Sequence, residues 1–211
     1  MEIFNDNFDY QRFQKLLYLV NSKQTLKFSD IETSPSPVWT RERGETLVDI
    51  GAYCLMPNHF HLLIKSKDEK DTAMFLQRLL GSHSKYFNTK NDRDGSLFQG
   101  KSKAKHITNN EQLKYLFSYI HLNPVKLIQN DWKEIGIKNL EKSKEYLNNY
   151  KHSSYLDFIE NRPESTILNI KVFPEYFSTP EIFKNEIFEW LSFKDLINNT
   201  ENKDDNEEKN K

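Results

Sequence analysis

The feature that most constrains the fold is a pair of strand-forming segments joined by a very short turn. Residues 46–56 are rich in strand-forming and apolar side chains, and residues 59–65 resume this character after Pro57 and Asn58. Adjacent proline and asparagine favour a tight turn, because proline fixes φ and asparagine bonds to nearby backbone. The two segments therefore predict a β-hairpin, which is an antiparallel pair.

Segments with helical spacing lie on both sides of this hairpin in the chain. Residues 8–20 and 72–87 place apolar side chains at every third or fourth position, which is typical of amphipathic helices. Thr108 is followed three residues later by Glu111, the pattern of a capping box. It predicts a further helix that runs to about residue 123, before a proline that discourages continuation.

Residues 97–107 alternate apolar or small residues with lysines and predict a third strand. The resulting order is helix, hairpin, helix, strand, helix. That order favours an α+β domain with a largely antiparallel sheet.

The average charge hides a local asymmetry. The formal net charge of the 211 residues is −1, yet residues 85–105 hold six lysines and arginines against two aspartates, while residues 200–211 carry five acidic residues. A locally positive field suits phosphate binding whatever the total. The single cysteine excludes an internal disulfide, and neither a membrane-length apolar run nor a signal-peptide pattern occurs. We therefore expect a cytoplasmic protein without a membrane partner.

His59-Phe60-His61 is the strongest local candidate for chemistry. Residues i and i+2 of a strand project from the same face, so both imidazoles face one side and Phe60 faces the other. Neutral imidazole is the commonest side-chain metal ligand, and two at this spacing can bind one ion. Two partly buried histidines that bind nothing would give the same pattern.

Tyr115, Tyr119 and Asn123 recur every four residues and share one face of the predicted helix. A tyrosine and a carboxamide one turn apart can supply a nucleophile and a metal ligand. Ordinary packing of helical tyrosines is the competing interpretation. His121 lies about 200° around the helix from Tyr119, so we do not expect it in the same site.

The basic stretch predicts contacts to nucleic acid. Alternate lysines on one strand face suit a phosphate backbone, and aromatic rings can stack on unpaired bases. The predicted contacts are Lys85, Arg93, Phe98, Lys101, Lys103 and Lys105. An ordinary solvated strand face is the alternative.

Taken in order, four segments resemble the single-tyrosine HUH transposase family, and particularly its REP-associated tyrosine transposase branch. They are Tyr53-Cys-Leu-Met-Pro-Asn-His-Phe-His-Leu-Leu-Ile, Gly95-Ser-Leu-Phe-Gln-Gly, Tyr119-Ile-His-Leu-Asn-Pro-Val-Lys and Ser153-Ser-Tyr. Each segment alone is weak, but the four in this order make the resemblance specific over residues 3–158.

The resemblance implies a ferredoxin-like antiparallel sheet with helices packed on one face. It implies that His59, His61 and Asn123 bind a divalent ion, Mg²⁺ or Mn²⁺, and that Tyr119 is the nucleophile. The implied activity is that of a metal-dependent tyrosine transposase or endonuclease, a monomer or homodimer. Such an enzyme cleaves single-stranded or hairpin DNA and transfers the strand through a 5′-phosphotyrosine intermediate.

Members of this family usually open with a strand before the segment that resembles residues 2–13. Met1 falls where that strand should just have ended, so we expect the first strand of the sheet to be missing. The alternative function is therefore a non-catalytic or degenerate relative that binds single-stranded nucleic acid. We expect the catalytic domain over residues 1–160, a helical extension over 161–198 and a disordered acidic tail over 199–211.

Overall fold

The computed structural model describes residues 1–24, 37–100, 102–173 and 179–189. Its helices and strands are α1 (Asn7–Leu19), β1 (Val48–Met56), β2 (His59–Ser66), α2 (Glu69–Lys90), α3 (Asn110–Leu122), α4 (Trp132–Ile135), α5 (Leu140–Asn149), α6 (Tyr155–Ile159) and α7 (Pro180–Glu189). Short 3-10 segments are Val38–Thr40, Asn123–Leu127, Pro163–Ile167 and Ile170–Val172. The predicted α+β class is confirmed.

The predicted hairpin is present and lies at the centre of the fold. β1 and β2 pair antiparallel from Met56 opposite His59 to Val48 opposite Ser66, with an irregularity between Ile50 and Ala52. Every residue of β1 is buried, whereas only Leu63 of β2 is fully buried. β1 is therefore the inner strand, and β2 lies closer to the protein surface.

Helices cover both faces of the hairpin, which corrects the expectation that they pack on one face. One face packs with α1 and α2 in a core that includes Phe13, Tyr53 and Phe75. The other face packs with α3 in a second core that includes Cys54 and Ile120. Side chains of a strand alternate between its faces, so two apolar faces require a layer of helices on each side.

The edge of β1 that does not meet β2 is covered by chain from after α5. The amide of Leu55 donates to the carbonyl of His152 at 2.9 Å, and the amide of Ser154 donates to the carbonyl of Tyr53 at 2.9 Å. The amide of Asn169 donates to the carbonyl of Ile50, also at 2.9 Å. These bonds satisfy backbone groups that a buried strand cannot leave unpaired.

The capping residue of α3 differs from the one predicted. Asn109, rather than Thr108, accepts the first-turn hydrogen bond, from the amide of Gln112 at 2.8 Å. The Gln112 carboxamide oxygen in turn accepts from the amide of Thr108 at 3.1 Å. The observed cap lies one residue after the predicted one, because asparagine caps a helix as well as threonine does and glutamine can replace glutamate.

The third strand predicted for residues 97–107 is wrong within the part of this segment that the structure describes, which excludes Lys101. Residues 97–100 and 102–107 form no ladder with another strand. Gly95 and Gly100 have φ values of 91° and 75°, outside the extended range, and they turn the chain at both ends of the Leu97 segment. Alternation alone did not reveal these turns.

The helical extension is described only in part. It contains two 3-10 segments and α7, which packs against α3 and α6. Residues 174–178 and 190–211, including the predicted acidic tail, lie outside the described residues. No helix in the described ranges is long and apolar enough to cross a membrane.

Candidate metal and nucleophile site

The two histidines of β2 face α3. Their ring centroids are 4.9 Å apart, and the ring of His61 lies 5.5 Å from that of Tyr119. Phe60 points to the other face, where its ring lies 5.0 Å from that of Phe13. The alternation predicted from the sequence therefore places both imidazoles on the side that carries the tyrosine helix.

Both histidines are held in the neutral form. Burial lowers the pKa of His59, and the nearby Lys126 charge lowers it further. Burial, His59 and Lys126 together lower the pKa of His61 to about 4. Desolvation disfavours the imidazolium ion, so near neutral pH each ring keeps a nitrogen lone pair that can bind a cation.

Tyr119 is the point at which three elements meet. It projects from α3 toward His61 of β2, and its ring lies 6.1 Å from that of Trp132 in α4. The ammonium nitrogen of Lys133 is 5.6 Å from the Tyr119 ring centroid. The ring of Tyr115, one turn earlier, is nearly parallel to it at 6.1 Å. Tyr119 is thus half-buried between the histidine strand and a cation.

Asn123 follows at the end of α3 and is 1 % exposed. Among the described residues, neither polar atom of its carboxamide has a hydrogen-bond partner, and the same holds for Nε2 of His61. A buried polar atom without a partner costs about 1–3 kcal/mol, so such atoms are rare and call for an explanation. An amide oxygen and an imidazole nitrogen are both atoms that can bind a cation.

The donor atoms fit a divalent cation. Two imidazole nitrogens and a carboxamide oxygen form a mixed set, and the imidazoles suit Mn²⁺ better than Mg²⁺, which strongly prefers oxygen. Within the described ranges, no group of three or more His, Cys, Asp or Glu residues could hold a metal ion. A third protein ligand from this part of the chain therefore has to be of another type, as the carboxamide of Asn123 is.

The basic residues predicted to contact nucleic acid are dispersed. Lys85 is exposed on α2, and Lys103 and Lys105 are exposed in the non-strand segment before α3. Arg93 donates to the side chain of Asn88 at 2.9 Å. Lys101 lies outside the described residues. The described part of this segment therefore gives no lysine ladder, because residues 97–100 and 102–107 do not form the strand that would align these side chains.

Phe98 lies on the opposite side of the hairpin from the histidines. Its ring is 6.1 Å from that of Phe60 and 6.2 Å from that of His83. These neighbours belong to the core under α1 and α2. The structure thus brings His59, His61 and Tyr119 together and places Phe98 elsewhere.

Two lysines beside the site were not among the predicted contacts. Lys126 is exposed, and its charge lowers the pKa values of both histidines. Lys133 lies beside Tyr119. Lys126 had a visible signal, since it ends the Asn-Pro-Val-Lys segment already singled out. Lys133 had none, because only packing of α4 against α3 brings it to Tyr119.

His121 is excluded from the site, as its helical angle predicted. It is fully buried, with Nδ1 2.8 Å from the carbonyl of Phe117 and Nε2 2.8 Å from the hydroxyl of Ser154. Tyr119, only two residues earlier, faces the histidines. His121 instead connects α3 to the segment that covers the edge of β1.

Comparison with known proteins places this geometry in context. A family model described as "Transposase IS200 like" matches residues 5–123, which is more than half of the chain. The matched span includes α1, the hairpin, α2 and α3, and it ends at Asn123. No curated protein and no solved structure matches the chain.

Proposed function

The chain belongs to the IS200-like transposase family, and from this membership and its site geometry we propose that it cleaves and joins single-stranded or hairpin DNA with Tyr119 as nucleophile. The observation that carries the proposal is the approach of the Tyr119 ring to that of His61, at 5.5 Å. This approach places the phenol of Tyr119 beside the neutral imidazole of His61, on the strand that also carries the imidazole of His59. The polar atoms of His61 and Asn123 that have no hydrogen-bond partner among the described residues support a role as ligands.

The proposed reaction is a transesterification. The oxygen of Tyr119, after losing its proton to solvent base, forms a bond to the phosphorus of the scissile phosphodiester. The bond from phosphorus to the 3′ oxygen breaks, and that oxygen leaves as a 3′ hydroxyl once it takes up a proton. The 5′ phosphate stays joined to Tyr119, so attack by another 3′ hydroxyl can reverse the step and join strands.

The proposed metal ligands are His59, His61 and Asn123. When bound, a divalent cation such as Mn²⁺ would polarise the phosphate oxygens and orient the group for attack. The role of the chain is to keep both imidazoles neutral by burial and to fix Asn123 at the end of α3. The half-buried Tyr119 is held against this group by Trp132.

We further propose that Lys126 and Lys133 bind DNA phosphates on either side of the nucleophile. Phosphate contacts from lysine supply affinity and fix register without reading sequence. Lys126 lies close enough to both histidines to lower their pKa values, and Lys133 lies near the Tyr119 ring. A scissile phosphate at Tyr119 would lie near both charges. The exposed Lys85, Lys103 and Lys105 stay candidates for contacts to more distant phosphates.

Within the family, we assign the chain to the REP-associated branch. The assignment rests on the Tyr-Ile-x-x-Asn-Pro-Val-Lys segment and on Ser153-Ser-Tyr. In the structure the second of these segments lies on the edge of β1, where the Ser154 hydroxyl accepts from the Tyr53 amide at 2.9 Å. The segment therefore stabilises the strand next to the histidine strand and makes no contact of its own to DNA in this proposal.

The test is covalent capture of DNA. Hairpin DNA labelled at its 3′ end is incubated with the protein and Mn²⁺, and the products are separated on a denaturing gel. We expect a labelled protein–DNA adduct that chelation of the metal prevents. DNA labelled at the 5′ end should instead give a shorter free strand that ends in a 3′ hydroxyl.

Two tyrosine variants make the assignment specific. Tyr119→Phe should abolish the adduct, whereas Tyr115→Phe, a matched loss of a hydroxyl from the same helix face, should retain it. An adduct that survives in Tyr119→Phe and disappears in Tyr115→Phe would overturn the nucleophile. DNA binding without any adduct would instead favour a relative that has lost cleavage.

A further inference from the structure

The side chain of Asn58, in the turn of the hairpin, contacts the first histidine directly. Its carboxamide oxygen lies 2.7 Å from Nδ1 of His59, a short hydrogen-bond distance. Asn58 itself is exposed, while His59 is half-buried. The bond therefore joins a turn residue to the His59 ring, which lies between β2 and α3.

The chemistry of the two groups fixes where the proton lies. A carboxamide oxygen has no hydrogen and can only accept, so Nδ1 of His59 must donate. A neutral imidazole carries one proton, and the lone pair is then left on Nε2.

The Nε2 atom of the second histidine lies in the protein interior. In His61 this atom is buried and, within the described residues, has no hydrogen-bond partner. With Nδ1 of His59 protonated, Nε2 is the only nitrogen of this ring that can bind a cation. A His59 ring protonated on Nε2 could not bind a cation through that nitrogen.

We propose that Asn58 is a positioning residue that holds His59 in the Nδ1–H form and so directs Nε2 toward the cation site. The inference deepens the proposed function and rests on it for the identity of the ligand as a divalent cation. Hydrogen bonds of this kind orient metal-bound histidines, and their loss typically weakens metal affinity about 10–100-fold.

The turn allows substitutions that test this role. Among the described residues other than glycine, only Asp92 has a positive φ. The backbone at Asn58 therefore has an ordinary conformation that other residues can adopt. Asn58→Ala removes the acceptor, whereas Asn58→Asp keeps it and strengthens it with a charge. Asn148, exposed on α5, provides a matched control as Asn148→Ala.

The first measurement is the protonation pattern of the histidine rings in the metal-free protein at pH 8, by long-range ¹H–¹⁵N NMR. We expect His59 of the wild type and of Asn58→Asp to carry its proton on Nδ1. Asn58→Ala should move His59 toward a mixture of the two forms, and Asn148→Ala should not. A wild-type His59 protonated on Nε2, or no change in Asn58→Ala, would overturn the inference.

The second measurement is Mn²⁺ affinity by isothermal titration calorimetry, independent of any DNA reaction. Asn58→Ala should bind about 10–100-fold more weakly than wild type, and Asn58→Asp at least as tightly. Equal affinities of Asn58→Ala and wild type would refute the positioning role. A wild type with the expected ring form but no Mn²⁺ binding would refute the metal site of the proposed function while supporting the bond from Asn58.

Discussion

Gly51 shows how one residue of β1 depends on a distant part of the chain. It lies at the irregularity between Ile50 and Ala52, and a Cβ built on it would lie 2.7 Å from the Phe173 ring. Three atoms at the tip of the ring lie within 2.9 Å of that Cβ, so the whole ring of Phe173 must move to admit a methyl group. Glycine is required here because the ring of a later segment occupies the position of a side chain.

Gly51→Ala should therefore destabilise the protein by about 1–3 kcal/mol, the usual cost of overpacking a core. Urea unfolding followed by circular dichroism measures the change. Gly81→Ala is the matched control, because nothing lies within 4 Å of a Cβ at this helical position. It should stabilise α2 by about 0.5–1 kcal/mol. Equal effects of the two variants would contradict the role of Phe173.

The proposed phosphate contact of Lys126 can be tested through the salt dependence of DNA binding. In a Tyr119→Phe background, which prevents cleavage, Lys126→Gln should weaken binding of single-stranded DNA irrespective of sequence. The slope of log affinity against log salt should fall by about 0.7, the loss of one counterion released from a single strand. Fluorescence anisotropy at several salt concentrations gives this slope.

The control for Lys126 is Lys70→Gln, which removes the same charge from the first turn of α2, beyond the far end of β2. It should leave the slope unchanged. If Lys126→Gln and Lys70→Gln alter binding equally, the charge acts through the general field and not through a contact to phosphate.

At the scale of elements, a buried polar group joins α1, β1 and α6. The Asp157 carboxylate accepts from Nε of Arg162 at 2.7 Å and from the Tyr53 hydroxyl at 2.9 Å. Gln14 of α1 contacts the same hydroxyl at 3.2 Å. Burial nevertheless raises the pKa of Asp157 to about 6, against the opposing effect of Arg162. These hydrogen bonds help to hold the segment of residues 152–154 on the edge of β1.

Arg162→Met should therefore cost about 3–5 kcal/mol at pH 7.5, because it leaves the Asp157 carboxylate buried without its cation. The loss should be smaller at pH 5, where Asp157 takes up a proton. Urea unfolding at the two pH values tests both statements. Lys138→Met, which breaks an exposed ion pair with Asp131, should change stability by less than about 1 kcal/mol. A loss in Arg162→Met no larger than this would refute the argument.

Across the whole molecule, buried histidines make the free energy of unfolding depend on pH. Burial lowers the pKa of His121 to about 3 and those of His61 and His152 to about 4. A histidine with a lowered folded pKa takes up its proton more readily in the unfolded chain. Its stabilisation is complete above pH 6.5 and is lost as the pH falls toward its folded pKa. The raised pKa of Asp157 acts in the opposite direction and offsets part of the loss.

We expect the free energy of unfolding to fall between pH 7.5 and 5, with His121 alone accounting for about 2 kcal/mol. Urea unfolding at a series of pH values measures the total. His121→Gln should flatten the profile by about that amount, whatever its effect at pH 7.5. An unchanged pH profile in this variant would show that His121 is not the buried neutral group that the structure indicates.

Features that depend on local periodicity follow from the amino-acid sequence alone. The spacing of apolar residues predicted α1, the hairpin, α2 and α3 to within a few residues of their observed ends. Two-residue alternation put His59 and His61 on one face, and four-residue spacing put Tyr119 and Asn123 on one helix side. Such relations follow from backbone geometry over a few residues, so they hold whatever the rest of the chain does.

Which of these faces meet depends on packing between distant parts of the chain. Packing of α3 on the histidine face brings Tyr119 to His61, and packing of α4 brings Lys133 to Tyr119. Residues 97–100 and 102–107 do not form the expected third strand, and the chain turns at Gly95 and Gly100. Residues 152–154 cover the edge of β1. These contacts join residues far apart in the chain. Burial of apolar surface selects them, and local spacing does not show which buried faces will meet.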